Sequence, residues 1–335
     1  MDFKSIFVTG GAGYTGSCLV PELLKKGYKV TVYDTMYYTD NFLPKDNPNL
    51  TIIKGDIRDK EKIYTSCQNH DAFVHLACIS NDISFALDEK LSTSINLDAF
   101  EPMVISAKKA GIKRFIYASS SSVYGISDEK NVTEEHPLVP LTLYNKYKGL
   151  CEPLLFKHTD QNFEGVIFRP ATVCGFAPRQ RLDLSVNILT NFAVNKGMIK
   201  VFGGNQLRPN LHIMDYSDAV QVLIESDSKK IQNQIFNIGY QNLSIIEIAN
   251  LVKKVVEKKF PKKGNVNIIR EKSDDNRSYH INSDKIKNLL NYSPKRTIEN
   301  AVEDLCLAFK KGLLLNSFSE DIYFNINRMK NINAK

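Results

Sequence analysis

The sequence predicts a doubly wound α/β fold, a parallel sheet with helices on both faces, joined to a smaller and discontinuous C-terminal unit. Three observations carry this. Short apolar runs alternate with helical stretches at a βαβ rhythm through residues 1–175. A glycine-rich turn, Gly10-Gly11-Ala12-Gly13-Tyr14-Thr15-Gly16, joins the first run to the first helix. Beyond residue 175 the texture changes to proline, arginine, asparagine and glycine around isolated amphipathic helices. The expected division is 1–175 with 212–240 as the sheet unit, 176–211 with 241–315 as the second unit, and 316–335 as a polar, loosely packed tail.

Residues 5–9 read as the first strand and 14–26 as a helix closed by Gly27. Glycines at 10, 13 and 16 let the backbone turn sharply and approach a ligand with no Cβ in the way. The helix N-terminus that follows offers N–H groups and a positive dipole end to a pyrophosphate. A lone glycine triplet is also a plain strand-to-helix turn. Here a second strand, 29–34, ends in Asp34 at the spacing of a ribose-binding carboxylate. A dinucleotide site follows, with Gly10, Gly13, Tyr14, Thr15, Gly16 and Asp34 as its contacts. Asp34 favours NAD over NADP, because it accepts ribose hydroxyls and repels a 2′-phosphate.

A polar, Tyr-rich connection leads to a third strand at 50–53, a helix at 60–67 and a fourth strand at 72–76. Parallel sheets bind ligands at the carboxyl ends of their strands, which places Asp56, Ile57, Leu76, Ala77 and Cys78 on the cofactor side. A long helix is expected over 90–110, interrupted by Pro102, then a fifth strand at 114–118 that ends in four serines, 119–122. By itself a serine run is more often a solvated turn than a catalytic group. The helix expected at 143–159 opens with Tyr144 and Lys148, four apart and therefore on one face. A tyrosine hydroxyl, with an ordinary pKa of about 10, is a poor base at neutral pH. A nearby ammonium lowers that value, so Lys148 is expected to help Tyr144 exchange a proton with a substrate hydroxyl while Ser120 donates to the same oxygen. A sixth strand is expected at 166–169, with 212–218 and 235–239 as returns to the sheet. Helices are expected at 184–194, 244–258, 284–290 and 298–311, and a strand at 266–269.

The net charge of +7 is modest for 335 residues, and no arginine-rich stripe with interleaved aromatics appears. Nucleic acid is not an expected partner, whereas small anionic substrates are. Six cysteines (Cys18, Cys67, Cys78, Cys151, Cys174, Cys306) are spaced too widely for a zinc motif or a disulfide framework, so no metal is expected. The first strand begins almost at once and no apolar run is long enough to cross a bilayer, so a cytoplasmic protein with no membrane partner is expected.

Over residues 4–312 the chain resembles the extended short-chain dehydrogenases/reductases of the nucleotide-sugar epimerase/dehydratase type. Thr9, Gly10, Gly13 and Gly16 match the cofactor loop, Tyr144 and Lys148 the catalytic pair, and Ser119-Ser120-x-x-Val123-Tyr124-Gly125 the segment carrying the catalytic Ser or Thr, here Ser120. His75-Leu76-Ala77 resembles the fourth-strand end that lines the cofactor, and Asn96 a structural asparagine. The resemblance implies NAD as cofactor, with Tyr144 and Lys148 also touching it, and a nucleotide-diphosphate sugar as substrate. It also implies a homodimer. Arg208 resembles the arginine that holds the substrate pyrophosphate, and Arg277, in Asp274-Asp275-Asn276-Arg277, a second one; either arginine alone also reads as a surface ion pair.

Departures from the family pattern narrow the chemistry. Ser121 and Ser122 stand where sugar 4,6-dehydratases carry an acidic pair, which argues against dehydration. Thr172-Val173-Cys174-Gly175 replaces the usual Asn-Val-Tyr-Gly, and Pro209 replaces an Asp. The block 178–187, with Arg181 and Asn187 as expected substrate contacts, resembles sugar-nucleotide and heptose-modifying enzymes more than the common galactose epimerases. Ser80-Asn81-Asp82 reads equally as a sugar contact, through Ser80 and Asn81, and as a cap for the next helix. The expected activity is an NAD-dependent nucleotide-sugar 4-epimerase that oxidises and re-reduces C4. A C4 dehydrogenase/reductase of similar, possibly heptose, substrates needs the same residues. A non-catalytic dinucleotide sensor is disfavoured by the intact Tyr144/Lys148 pair.

Overall fold

The computed structural model describes residues 3–127, 129, 131–272 and 278–335. Continuous apolar runs form its first elements: β1 (Ser5–Thr9), α1 (Gly16–Lys25), β2 (Lys29–Asp34), β3 (Leu50–Lys54), α2 (Lys60–Cys67) and β4 (Ala72–His75). Next come α3 (Asp82–Phe85), α4 (Glu89–Thr93), a π-turn over Ser94–Asp98, α5 (Phe100–Lys109), β5 (Arg114–Ala118), a 3-10 turn over Ser121–Tyr124, α6 (Leu143–Phe156), β6 (Glu164–Pro170) and β7 (Thr172–Cys174). The chain continues with α7 (Ser185–Lys196), β8 (Met198–Phe202), β9 (Leu207–His212), α8 (Ile213–Glu225), α9 (Ser228–Ile231), β10 (Gln234–Ile238) and β11 (Gln241–Ser244). It closes with α10 (Ile245–Lys259), β12 (Asn267–Glu271), α11 (Asp284–Leu290), α12 (Ile298–Lys310) and α13 (Asn325–Asn331).

Seven parallel strands form the main sheet in the order β10-β6-β5-β4-β1-β2-β3. Every residue of β4 and β5 is buried, as strands covered on both faces must be. On one face Ile6, Val8, Val32, Val74 and Ile116 pack with Leu19, Leu23, Val220 and Leu223 of α1 and α8. On the other, Phe7, Phe73, Phe115 and Tyr117 pack with Ile63, Met103, Val104 and Leu155 of α2, α5 and α6. The strand order reverses between β1 and β4, which opens a crevice at their carboxyl ends. A separate apolar cluster joins α7, α10 and α12 through Val186, Ile248, Val252, Ala301 and Val302, with the pair β8–β12 at its side.

Three expectations are corrected. The segment 212–218 is not a strand. His212 ends β9 and caps α8, its ring nitrogen Nδ1 accepting from Met214 N at 3.1 Å. Ile213, Tyr216, Ala219, Val220, Leu223 and Ile224 then recur at helical spacing and are all buried. The long helix breaks at Ser94–Asp98 rather than at Pro102, which sits in the first turn of α5, where a missing N–H costs nothing. The tail is not loosely packed: Asn325 and Met329 of α13 are buried, and α13 rests against α3.

Candidate active site

The glycine-rich turn is shaped by close approach. Gly10 has φ +76°, and a Cβ there would lie 2.6 Å from Ala77 N. A Cβ on Gly16 would lie 2.5 Å from the carbonyl oxygens of Gly10 and Gly11. Gly10, Gly13, Tyr14 and Thr15 thus form one lip of a cleft of about 400 Å3 at the carboxyl edge of the sheet. Gly16 packs behind the lip and starts α1. Tyr14 reaches the cleft without offering its hydroxyl, which donates to Gly175 O at 2.7 Å and accepts from Asn187 Nδ2 at 3.0 Å.

Asp34, Asp56, Ile57, Leu76 and Ala77 line the same cleft. The Asp34 carboxylate accepts from Met36 N at 2.8 Å and from Ala12 N at 3.1 Å. Burial nevertheless pushes its pKa up, against those two N–H groups and the charge of Arg179. At Asp56 partial burial also opposes ionisation. There the Arg58 guanidinium and backbone N–H outweigh it and hold the carboxyl below its usual range. This lip, closed to any Cβ at Gly10 and backed by a helix N-terminus, has the shape and dipole to suit a pyrophosphate, and Asp34 lines the same cleft.

The chemical end is built where β5 meets α6. Ser120 is extended, at φ −159° and ψ 143°, and caps the 3-10 turn. Its hydroxyl lies 2.7 Å from that of Ser122, which in turn donates to Asn145 Oδ1 at 2.5 Å. Beneath it Ser119 donates to Glu152 Oε1 at 2.6 Å, and Glu152 is held by a buried, two-point ion pair with Arg169 at 2.9 and 2.6 Å. Tyr144 and Lys148 stand one turn apart on α6, and both line the cleft with Ser120. The Lys148 ammonium donates to Ala118 O at 2.8 Å and sits 5.1 Å from the Tyr117 ring. Burial raises the Tyr144 pKa well above its ordinary value, and Cys78 and Asp82 push the same way. The cation that opposes them is Arg181. The expected net lowering of the Tyr144 pKa is therefore corrected: desolvation dominates, and the Lys148 ammonium donates to the carbonyl at the end of β5.

On the substrate side the expected residues separate. Ser80 lines the cleft, its hydroxyl accepting from Arg181 Nη1 at 3.1 Å and from Asn325 Nδ2 at 2.9 Å. Asn81 also lines the cleft, but its side chain caps α3 by accepting from Ser84 N at 2.8 Å. Arg181 reaches the cleft while its Nε donates to Asp183 Oδ1 at 2.8 Å. Arg208 lines it from β9, donating to Leu207 O at 3.0 Å. Asn187 does not reach it; fully buried, its amide serves Gly175 N, Tyr14 and Arg181 O. Arg277 lies outside the described residues. Sequence reasoning missed Arg179, Tyr38, Asn145, Asn325 and Met329, all of which line the cleft. For Arg179 a signal exists, an Arg-x-Arg pair just after β7; for Asn325, far along a polar tail, there is none.

Comparison with known proteins accords with this geometry. The NAD dependent epimerase/dehydratase family pattern matches residues 6–239. The chain is 27% identical over 317 residues to the low-salt glycan biosynthesis protein Agl12 of Haloferax volcanii, covering 92% of this chain and 98% of that one. It is 25% identical over 317 residues to a UDP-glucose 4-epimerase of Rhizobium meliloti, covering 88% and 94%. An epimerase of Methanothermobacter thermautotrophicus shares the fold with a TM-score of 0.84 at 22% identity over 95% of each chain. Since that pattern runs through the sheet from β1 to β10, the chain belongs to the NAD-dependent epimerase/dehydratase family and is an NAD-dependent enzyme.

Proposed function

We propose that the protein is a nucleotide-sugar 4-epimerase that works by transient oxidation and re-reduction at C4. The observation that carries this reading is a single cleft in which Tyr144 and Ser120 stand together while positions 121 and 122 are serines. Ser121 lies 3.3 Å from the Tyr279 hydroxyl, and Ser122 is bonded to Asn145. Among the described residues the carboxyls lining the cleft are Asp34, Asp56 and Asp82. Asp82, the one whose charge acts on Tyr144, accepts the Thr142 hydroxyl at 2.6 Å. A dehydratase needs an acid for its leaving hydroxyl, and these serines do not supply one.

NAD, when bound, accepts a hydride from C4 and returns it. In this reading Gly10, Gly13, Tyr14, Thr15 and Gly16 form its pyrophosphate cradle, Asp34 takes a ribose, and Asp56, Ile57, Leu76 and Ala77 line its bed. Tyr144 accepts and returns the proton of the C4 hydroxyl, and Ser120 donates to the same oxygen. A tyrosine that accepts a proton must first be ionised, and the positive charge of Arg181 favours that form. The hydroxyl chain through Ser122 to Asn145 leaves Ser120 oriented before substrate arrives. Arg208 meets the substrate's diphosphate from the second unit.

The reading is tested with nucleotide sugars deuterated at C4. An epimerase keeps the label at C4 of the inverted product and accumulates no NADH. Label appearing in the cofactor or in a second substrate would instead assign a net C4 dehydrogenase/reductase.

A further inference from the structure

Arg179 is the most deeply buried cation in the cleft wall, with 1% of its surface exposed. Its guanidinium is held by neutral partners: Nη2 donates to Asn325 Oδ1 at 2.6 Å, and the Tyr38 ring lies 3.7 Å away. Nε has no acceptor. Arg181, two residues on and 7% exposed, uses Nε for Asp183 and Nη1 for Ser80, and its Nη2 has no acceptor. Two desolvated guanidiniums with unsatisfied donors thus share one wall. An anion in the cleft would meet both open donors.

Position selects the anion. The Arg179 backbone N–H donates to Ser17 Oγ in the first turn of α1, at 3.2 Å, so this wall adjoins the glycine-rich turn. Arg179 and Arg181 line the same cleft as Gly10, Gly13 and Thr15. We infer that Arg179 and Arg181 form a second phosphate-binding element, which takes the pyrophosphate of the bound dinucleotide alongside the α1 N-terminus. Phosphate oxygens replace the Asn325 amide as acceptor for Arg179 and satisfy the free Nη2 of Arg181. The inference rests on the dinucleotide reading and not on the epimerase reading. Burial pushes the Arg179 pKa down to about 10, and a bound phosphate would reverse that push.

Calorimetry on the full chain, stripped of cofactor, tests this with three probes: NAD, adenosine and UDP. Arg179→Met should weaken NAD binding roughly tenfold to a hundredfold, the usual worth of a charge-assisted hydrogen bond, and leave adenosine and UDP unchanged. Arg181→Met should act the same way on NAD. Arg179→Lys, which keeps the charge, should recover part of the loss and serves if the Met variant does not fold. Equal losses for NAD and adenosine would mean a packing role and overturn the inference. So would NAD affinity within twofold of the parent, or a loss confined to UDP, which would assign the pair to the substrate's diphosphate. Since no turnover is measured, the outcome is separate from whether C4 is inverted.

Discussion

Ser122 Oγ donates to Asn145 Oδ1 across 2.5 Å, fastening the loop after β5 to the helix that carries Tyr144 and Lys148. The same hydroxyl lies 2.7 Å from Ser120, so the orientation of Ser120 depends on a residue that meets no substrate atom in the proposed chemistry. Ser122→Ala should lower kcat by about tenfold, as expected for one neutral hydrogen bond in an oriented chain, with little change in KM or in NAD binding. An unchanged kcat would show that Ser120 is oriented without it.

Tyr144→Phe keeps the ring and removes only the hydroxyl. Turnover should fall by roughly two to four orders of magnitude, the range for a positioned proton-transfer group, while folding and NAD binding survive. Steady-state kinetics with calorimetry checks both halves. Full activity in this variant would remove Tyr144 from the chemistry.

Asp34 gives a pH signature. Burial raises its pKa, so it protonates above the ordinary value of about 3.9. If its carboxylate accepts ribose hydroxyls, NAD affinity is full above the raised pKa and is lost as pH falls through it. The contribution of Asp34 to folding runs the other way: a raised pKa favours the folded state at low pH and that favour is lost as pH rises through it. A weakening of NAD as pH falls through that raised pKa is expected, and Asp34→Asn should abolish the pH dependence.

Arg208 tests the substrate half. Arg208→Ala should raise the Kd of a nucleotide sugar by roughly tenfold to a hundredfold, the worth of a hydrogen bond to a charged group, and leave NAD binding nearly unchanged. Titration of the cofactor-loaded protein separates the two ligands. No change in the sugar nucleotide Kd would take Arg208 out of the site.

Met329 tests the C-terminal helix. It is buried in the apolar cluster that includes Ile57 and Ile79 and lines the cleft, while Arg328 Nε donates to Tyr37 O at 2.7 Å. Met329→Ala should cost about 2 kcal/mol or more in stability, as large-to-small core changes do, and should weaken NAD binding. Denaturant unfolding read alongside NAD titration measures both. A tail that only decorates the surface would show neither effect.

The sheet was legible because its signals are local. Apolar runs such as Ile6–Val8 and Phe115–Tyr117, punctuated by helices, follow from backbone periodicity alone, and Gly10 through Gly16 declare a turn that no Cβ could enter. The same holds for Tyr144 and Lys148, whose common face is set by helix geometry. Where apolar residues fit two periods the reading failed: residues 212–218 alternate well enough for a strand, and burial of Tyr216, Ala219 and Val220 against the sheet decided for a helix. Side-chain pairing across the chain was not legible either. The sequence cannot show that Asn187 turns inward to Tyr14 and Gly175, or that Lys148 donates to the carbonyl at the end of β5. Nor can it bring Asn325 to Arg179 and Ser80, partners 146 and 245 residues away. A sequence determines the strands, turns and helix faces through interactions a few residues long. Which polar groups then find one another, and which charges lose their water, is decided only when distant segments exclude solvent together, because burial sets the strength of every contact they make.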